Sequence, residues 1–270
     1  MKHISYVFFT ALVLASCSPL QKALKVDDTA YKNEVADQLY EKGKYKQAIR
    51  LYEQIEAKEG AWRPNLQSMF YKYSKSYYNS RKWEASDKMF QKFNLVYFTS
   101  PNREETMFLE AKSAYELSES FTLDQHITYE GINKFEAFIS AFPESQYSEE
   151  ANKNLRELKE KIERKAFESA KLYNKIGEYT RDYNAAIVAL DNFLLDYPGT
   201  VYKTDALYYK FDSAYKLSIN SVYSKMEERI KNALSLYDDL ITFDPNTKYK
   251  EDADRMVERL KKELQQFSTK

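Results

Sequence analysis

The chain of 270 residues carries 41 Lys+Arg against 41 Asp+Glu, for a formal charge of zero, with only five glycines and six prolines. Zero charge excludes a general nucleic-acid binder, which needs a basic face against the phosphates, and so little Gly and Pro leaves too few turns for an all-β fold. With 43% apolar and 30% charged residues the chain has the composition of a core-forming helical protein, and its 24 Tyr and 16 Phe suit knobs packed between stacked helices.

At the N-terminus, Lys2 and His3 precede an apolar run from Ile4 to Leu14. It is too short to span a bilayer and has the shape of a secretory signal. It ends at Leu14-Ala15-Ser16-Cys17, which resembles the bacterial lipobox, where small residues precede a cysteine that receives diacylglycerol on sulfur and an N-acyl chain. Cys17 is the only cysteine, so it has no intramolecular disulfide partner. The reading is a signal peptide over 1–16, a lipidated tether over 17–28, and a membrane relation through the lipid anchor alone. Acyl chains contribute about 0.8 kcal/mol per buried CH₂, so two or three of them anchor a protein stably. Ser18 stands where enterobacterial lipoproteins retained in the inner membrane carry aspartate, and no acidic surface-export tag follows. By that resemblance the chain belongs on the periplasmic face of an outer membrane.

The first helical repeat spans Ala36 to Tyr52. Tyr31, Val35 and Leu39 recur at four-residue steps on one helix, Ala48, Tyr52 and Ile55 line the next, and Gly43 releases the backbone between them. The order of small residue, Tyr or Leu, Gly, Tyr, Ala, aromatic is similar to the tetratricopeptide pattern, with Ala36 and Ala48 small where paired helices meet. A second unit holds Phe70, Tyr73, Ser74 and Tyr77 with Trp83, Ser86, Phe90 and Phe93, and Arg81 replaces the turn glycine. A third carries Phe108, Ala111, Ala114 and Tyr115 with Gly131, Phe135 and Phe138, plus extra residues around Phe121–Ile127. The fourth opens with Ala170, Tyr173 and Gly177, its first helix predicted over 148–176. The fifth runs from Ala206 to Leu240, and a terminal helix over 250–266 reads as a solubilising cap, with a docking helix for a partner as the alternative.

Three phrases punctuate this array: Phe142-Pro143-Glu144-Ser145-Gln146-Tyr147, Tyr197-Pro198-Gly199-Thr200-Val201-Tyr202 and Asp244-Pro245-Asn246-Thr247-Lys248-Tyr249. Each precedes an acidic-Ala pair, so each ends one helix at proline and starts the next, with Ser145, Thr200 or Thr247 offering a hydroxyl to its free amides. The expected fold is all-α, a right-handed superhelix of about five tetratricopeptide-like repeats plus a capping helix. The division is repeats one to three over 29–145 and repeats four, five and the last helix over 146–270.

Catalytic chemistry is poorly supplied. Past the signal the chain has one histidine, His126, no glycine-rich phosphate loop, and too few Cys and His for a zinc site. Acidic pairs such as Glu104-Glu105 and Asp238-Asp239 sit at helix starts and polar faces, where the helix dipole and solvent explain them. The expectation is a protein with no catalytic residues, no metal and no cofactor beyond the acyl chains on Cys17.

An exported lipoprotein with these repeats and a Pro-x-[Ser/Thr]-x-Tyr, acidic, Ala phrase at its junctions resembles the BamD family of outer-membrane assembly lipoproteins. The resemblance is most specific at Ala36–Tyr52, Phe142–Ala151 and Tyr173–Ala206. The departures are Pro64-Asn65 at the first junction, the turn from Glu178 to Tyr183 and the residues near Ser221. The resemblance implies a scaffold that binds POTRA domains of a BamA-like barrel protein through its C-terminal repeats and meets unfolded outer-membrane β-barrel proteins with its N-terminal ones. On the tetratricopeptide pattern the concave positions are Asn33, Asp37 and Tyr40, then Tyr71, Lys75, Tyr78 and Asn79. The alternative placement of these tyrosines is against neighbouring helices. The alternative function is another periplasmic lipoprotein adaptor of the cell envelope.

Overall fold

The computed structural model describes residues 19–60 and 63–268, so Cys17 and the signal lie outside the described residues. Within them the chain forms twelve α-helices, one 3-10 turn at Pro64–Leu66 and no strand. One compact unit comprises the chain up to Ser118 together with Tyr129–Leu155, and the other comprises Glu119–Thr128 and everything from Arg156 onward.

The first unit contains α1 (Pro19–Lys25), α2 (Thr29–Glu41), α3 (Tyr45–Glu59), α4 (Gln67–Asn79), α5 (Trp83–Val96), α6 (Arg103–Leu117) and most of α7 (His126–Ala141). It also takes the first turns of α8 (Ser148–Thr180). The pairs α2/α3, α4/α5 and α6/α7 are the first three expected repeats. Ala36 and Ala48 are fully buried in a core completed by Leu51, Tyr52, Phe70 and Tyr73. The aromatic excess goes into this packing: Tyr52 lies 5.5 Å from Tyr73, Tyr73 lies 5.1 Å from Tyr77, and Tyr77 donates to Glu53 at 3.0 Å. A buried phenol needs such a partner for its polar end.

The second unit holds the rest of α8, then α9 (Asn184–Asp196), α10 (Lys203–Ile219), α11 (Tyr223–Phe243) and α12 (Lys250–Ser268). The extra residues of repeat three fold onto α8, with the Arg164 guanidinium 4.1 Å from the Phe121 ring and Lys165 donating to the Leu123 carbonyl. Gln125 is buried and donates to the carbonyls of Ser120, Leu123 and Asp124. His126 is an exposed residue at the start of α7. Helix α12 buries Ala253, Val257 and Leu260 against α10 and α11.

The three junction phrases build one device each. Tyr147 stacks on Phe108 at 4.6 Å and 10°, Tyr202 on Phe167 at 4.8 Å and 8°, and Tyr249 on Tyr208 at 3.8 Å and 3°. Each tyrosine therefore lies flat on an aromatic of the preceding repeat's first helix. The hydroxyls of Ser145, Thr200 and Thr247 accept from the amide two residues on, at 3.0, 3.0 and 3.4 Å. This differs from a cap inside the helix: the bond closes the turn ahead of it, because helices α8, α10 and α12 begin one residue past the tyrosine. Ser100 does the same for Asn102 at 3.1 Å, in a junction whose proline follows the serine instead of preceding it.

One stretch departs from the sequence-based expectation, and two turns show which residue takes the left-handed position. The stretch assigned to a tether is folded from Pro19 onward: α1 buries Ala23 completely and sets Leu20 and Leu24 against the core of α2 and α3. Arg81 adopts the same left-handed conformation as Gly43, with φ of 55° against 68°, so the second turn has the geometry of the first without its glycine. In the fourth repeat that role falls to Arg181 at φ 62°. Gly177 serves packing instead, since a Cβ on it would lie 2.5 Å from the buried Tyr183 ring.

Two substitutions test these assignments by denaturant midpoint. Gly177→Ala is expected to cost about 1–3 kcal/mol through overpacking, although alanine is the better helix former by roughly 1 kcal/mol. Arg81→Gly relieves a left-handed side-chain clash and is expected to leave stability unchanged or raise it by up to about 1 kcal/mol.

Candidate functional site

Helix α4 has two faces. Phe70, Tyr73, Ser74 and Tyr77 are buried, while Tyr71, Lys75 and Tyr78, at steps of four and three, form a half-buried stripe beside them. On α2, Asp37 and Tyr40 occupy the corresponding stripe, and α6 contributes Glu105 and Lys112.

Lysine–carboxylate pairs cross from each of these first helices to the next. Lys72 on α4 meets Asp37 on α2 at 2.9 Å and Glu41 at 3.6 Å, and Asp37 also accepts from the Tyr52 hydroxyl at 2.7 Å. Lys75 meets Glu105 on α6 at 2.8 Å. Lys112 meets Glu150 on α8 at 2.9 Å, with its ammonium 4.6 Å from the Tyr115 ring. The Tyr71 hydroxyl donates to Glu105, and Lys75 donates to that hydroxyl at 3.1 Å, closing a three-membered polar cluster.

Electrostatics keep this cluster fixed at neutral pH. Burial, then the hydrogen bond to Glu105, pushes the Tyr71 phenol up to about 12. Burial works against the charge of Lys75, but its bonds to Glu105 and Tyr71 outweigh that and hold the ammonium above its usual range. Burial likewise raises Tyr40 and Tyr78. A general acid or base needs a group poised near working pH; these groups lie far from it. The face offers fixed charge, hydrogen-bonding capacity and ring surface.

The seven residues assigned to a concave face are not all brought together. Asp37, Tyr40, Tyr71 and Lys75 are joined through Lys72 and Glu105, the Lys72 ammonium lying 5.9 Å from the Tyr40 ring. Tyr78 packs edge-on against Trp83 at 5.3 Å, and the Glu150 charge acts on its phenol, which places it toward α8. Asn33 sits on α2 with its side-chain oxygen buried and unbonded. Asn79 is exposed at the end of α4 and lines the turn beside Gly43 and Arg81. Tyr40, Tyr71 and Tyr78 do pack on neighbouring side chains, yet each stays partly exposed. Sequence reasoning missed Lys72, Glu105, Lys112 and Glu150, which look like ordinary solvated charges until the first helices are set side by side. On the second unit, α8 exposes an apolar stripe of Leu172, Tyr173, Ile176 and Tyr179.

A family model described as an outer membrane lipoprotein, YfiO, matches residues 25–181 and 179–269. The chain belongs to this family, that of the BamD outer membrane lipoproteins. The two matches together take in the whole of the described repeats, from α2 to α12. Among the described residues no helix is long and apolar enough to cross a membrane, and no cluster of three metal-ligating side chains occurs. A YfiO-family lipoprotein with this face presents polar and aromatic groups of fixed protonation along consecutive first helices.

The raised phenols give a signed pH dependence. Tyr71 and Tyr77, both pushed up to about 12 by burial, favour the folded state fully below the ordinary tyrosine value of 10.0 and lose that contribution as pH climbs toward 12. The denaturant midpoint is expected to stay level up to that ordinary value and fall above it, with a matching late step in tyrosinate absorbance. Tyr71→Phe is expected to shrink that step.

Proposed function

We propose that this chain is the non-catalytic lipoprotein subunit of the outer-membrane barrel-assembly machinery. It is held on the periplasmic face by acyl chains on Cys17, scaffolds the POTRA domains of a BamA-like protein, and receives unfolded outer-membrane β-barrel proteins for insertion. Membership of the outer membrane lipoprotein family supports the setting. The observation that carries the receptor role is the stripe Asp37, Tyr40, Tyr71, Lys75: partly exposed rings beside a carboxyl side chain and an ammonium held above its usual range.

An extended polypeptide needs hydrogen-bond partners for its backbone and apolar surface for alternate side chains. The stripe supplies both, and Tyr rings give contact area at low entropic cost because they have few torsions to fix. The scaffold role fits the exposed apolar stripe Leu172, Tyr173, Ile176 and Tyr179, since a contiguous apolar surface of this kind marks protein contact.

The test is capture from solubilised membranes of the full chain bearing a photo-crosslinker at Tyr71 or at Ile176. Expected are a barrel protein carrying POTRA domains at Ile176, and, during induced porin synthesis, unfolded porin at Tyr71. Intact-mass analysis of the same sample is expected to give an acylated N-terminus at Cys17. Repeated capture without any barrel protein at either position sinks the assignment.

A further inference from the structure

The polypeptide-binding stripe runs along the sides of α2 and α4; their C-terminal turns carry a different surface. The turn between α2 and α3 and the turn between α4 and α5 share a depression of about 420 Å³ lined by Gly43, Lys44, Lys46, Asn79, Ser80 and Arg81. In a chain of zero net charge these two turns hold five cations, Lys42, Lys44, Lys46, Arg81 and Lys82, all exposed. None of the five has an ion-pair partner among the described residues, although the Lys82 ammonium lies 5.6 Å from the Tyr77 ring. The two carboxylates in the same turns are already held elsewhere, Glu41 by Lys72 at 3.6 Å and Glu84 by Lys88 at 2.6 Å. Helix α3 begins at this edge with no acidic residue in its first turn, so it places no fixed negative charge among the lysines.

The position of α1 says what this edge meets. Pro19 and Leu20 lie against Lys42, Lys44 and Gln47 in a second small cavity, so α1 begins at the basic edge. Cys17 precedes Pro19 by two residues, a reach of at most about 7 Å. We propose that the edge formed by Lys42, Lys44, Lys46, Arg81 and Lys82 docks on the phosphates of anionic glycerophospholipids in the leaflet that holds the acyl chains. This rests on the reading of Cys17 as the lipid anchor. Acyl chains in the hydrocarbon at Cys17 put Pro19 at the headgroups with Lys42 and Lys44 beside it, and the depression that Lys44 lines carries the edge on to Lys46 and Arg81. The far end of the same helices shows no such excess: Arg63 there is paired with Glu59, and Lys58 with Asp27. A basic patch beside a lipid anchor is the second signal that fixes how an anchored protein stands on its membrane.

The test uses the full lipidated chain in vesicles of phosphatidylcholine alone or with equal parts phosphatidylglycerol. Flotation reports the anchor. Acylation of lysines by a soluble amine reagent, read by mass spectrometry, reports the edge. Lys42, Lys44, Lys46 and Lys82 are expected to react about fivefold more slowly on the phosphatidylglycerol vesicles, an effect that raised salt abolishes, while Lys58 reacts equally on both. The triple variant Lys42→Glu, Lys44→Glu, Lys46→Glu is expected to lose the protection of Lys82 with its thermal unfolding unchanged. Flotation with both vesicles but equal lysine rates overturns the docking edge alone. Flotation with neither, and an unacylated Cys17, overturns the anchor and the edge with it.

Discussion

A helix pair of this kind cannot bury its apolar face alone, so everything depends on how one pair is set against the next. The face-to-face stack between a junction tyrosine and an aromatic on the previous first helix fixes that setting. Tyr147 on Phe108, Tyr202 on Phe167 and Tyr249 on Tyr208 lie within 10° of parallel. Two flat rings in contact leave little freedom of tilt, and such pairs contribute about 0.5–1.5 kcal/mol beyond the area they bury. The turn ahead of each ring is held by a hydroxyl, and two of the three also reach back: Ser145 donates to Glu104 at 2.6 Å, and Thr200 donates to Glu163. Proline gives the chain its exit from the helix, since Tyr197 at ψ 66° and Asp244 at ψ 86° both lie outside the helical region just before their prolines.

Register between first helices then decides which charges meet. Asp37–Lys72, Lys75–Glu105 and Lys112–Glu150 are partly exposed pairs, so each contributes at most about 1 kcal/mol and none holds the fold. Their effect is on the surface they leave. Pairing across helices holds the lysines extended beside tyrosine rings, with the Lys75 ammonium 5.1 Å from the Tyr71 ring. Without those pairs the long side chains would move freely over the stripe, and ordering them would cost entropy whenever a polypeptide bound. The ladder is better understood as preorganisation than as stability.

The repeat architecture was legible because its signals are local. Proline, hydroxyl and tyrosine fall within six residues at Phe142–Tyr147, and the long uninterrupted run from Ser148 announced a long helix. The partner of each tyrosine was not legible, because Phe108, Phe167 and Tyr208 lie a whole repeat upstream in units of unequal length. The turn at Arg81 was legible from its place in the second repeat, but its left-handed backbone was not, since nothing in an arginine reports one. Gly177 could be placed in the fourth repeat, but its reason, the Tyr183 ring six residues on, could not be read from spacing. The three apolar residues of α1 make too short a stripe to separate a helix from a tether. The charged half of the candidate face failed for a similar reason: Lys72 and Glu105 acquire meaning only across helices, while Asp37, Tyr40, Tyr71 and Lys75 could be placed by their step along one helix.

The stripe and the basic edge share α2 and α4, which makes their separation a matter of helix rise. From Asp37 to Glu41 at the end of α2, and from Lys75 to Asn79 at the end of α4, is about 6 Å along the axis in each case. With the edge on the leaflet, a polypeptide lying across the stripe is about one Debye length from a plane of phosphates. Acidic segments are repelled there and apolar or basic ones are not, so the membrane adds a selection that Tyr71 and Lys75 do not make alone. On the proposed function, the same closeness would shorten the path of a bound polypeptide from the stripe to the bilayer surface. Basic edge and stripe lie within one turn or two of each other on the same pair of helices, so on the proposed docking polypeptide binding would take place beside the membrane.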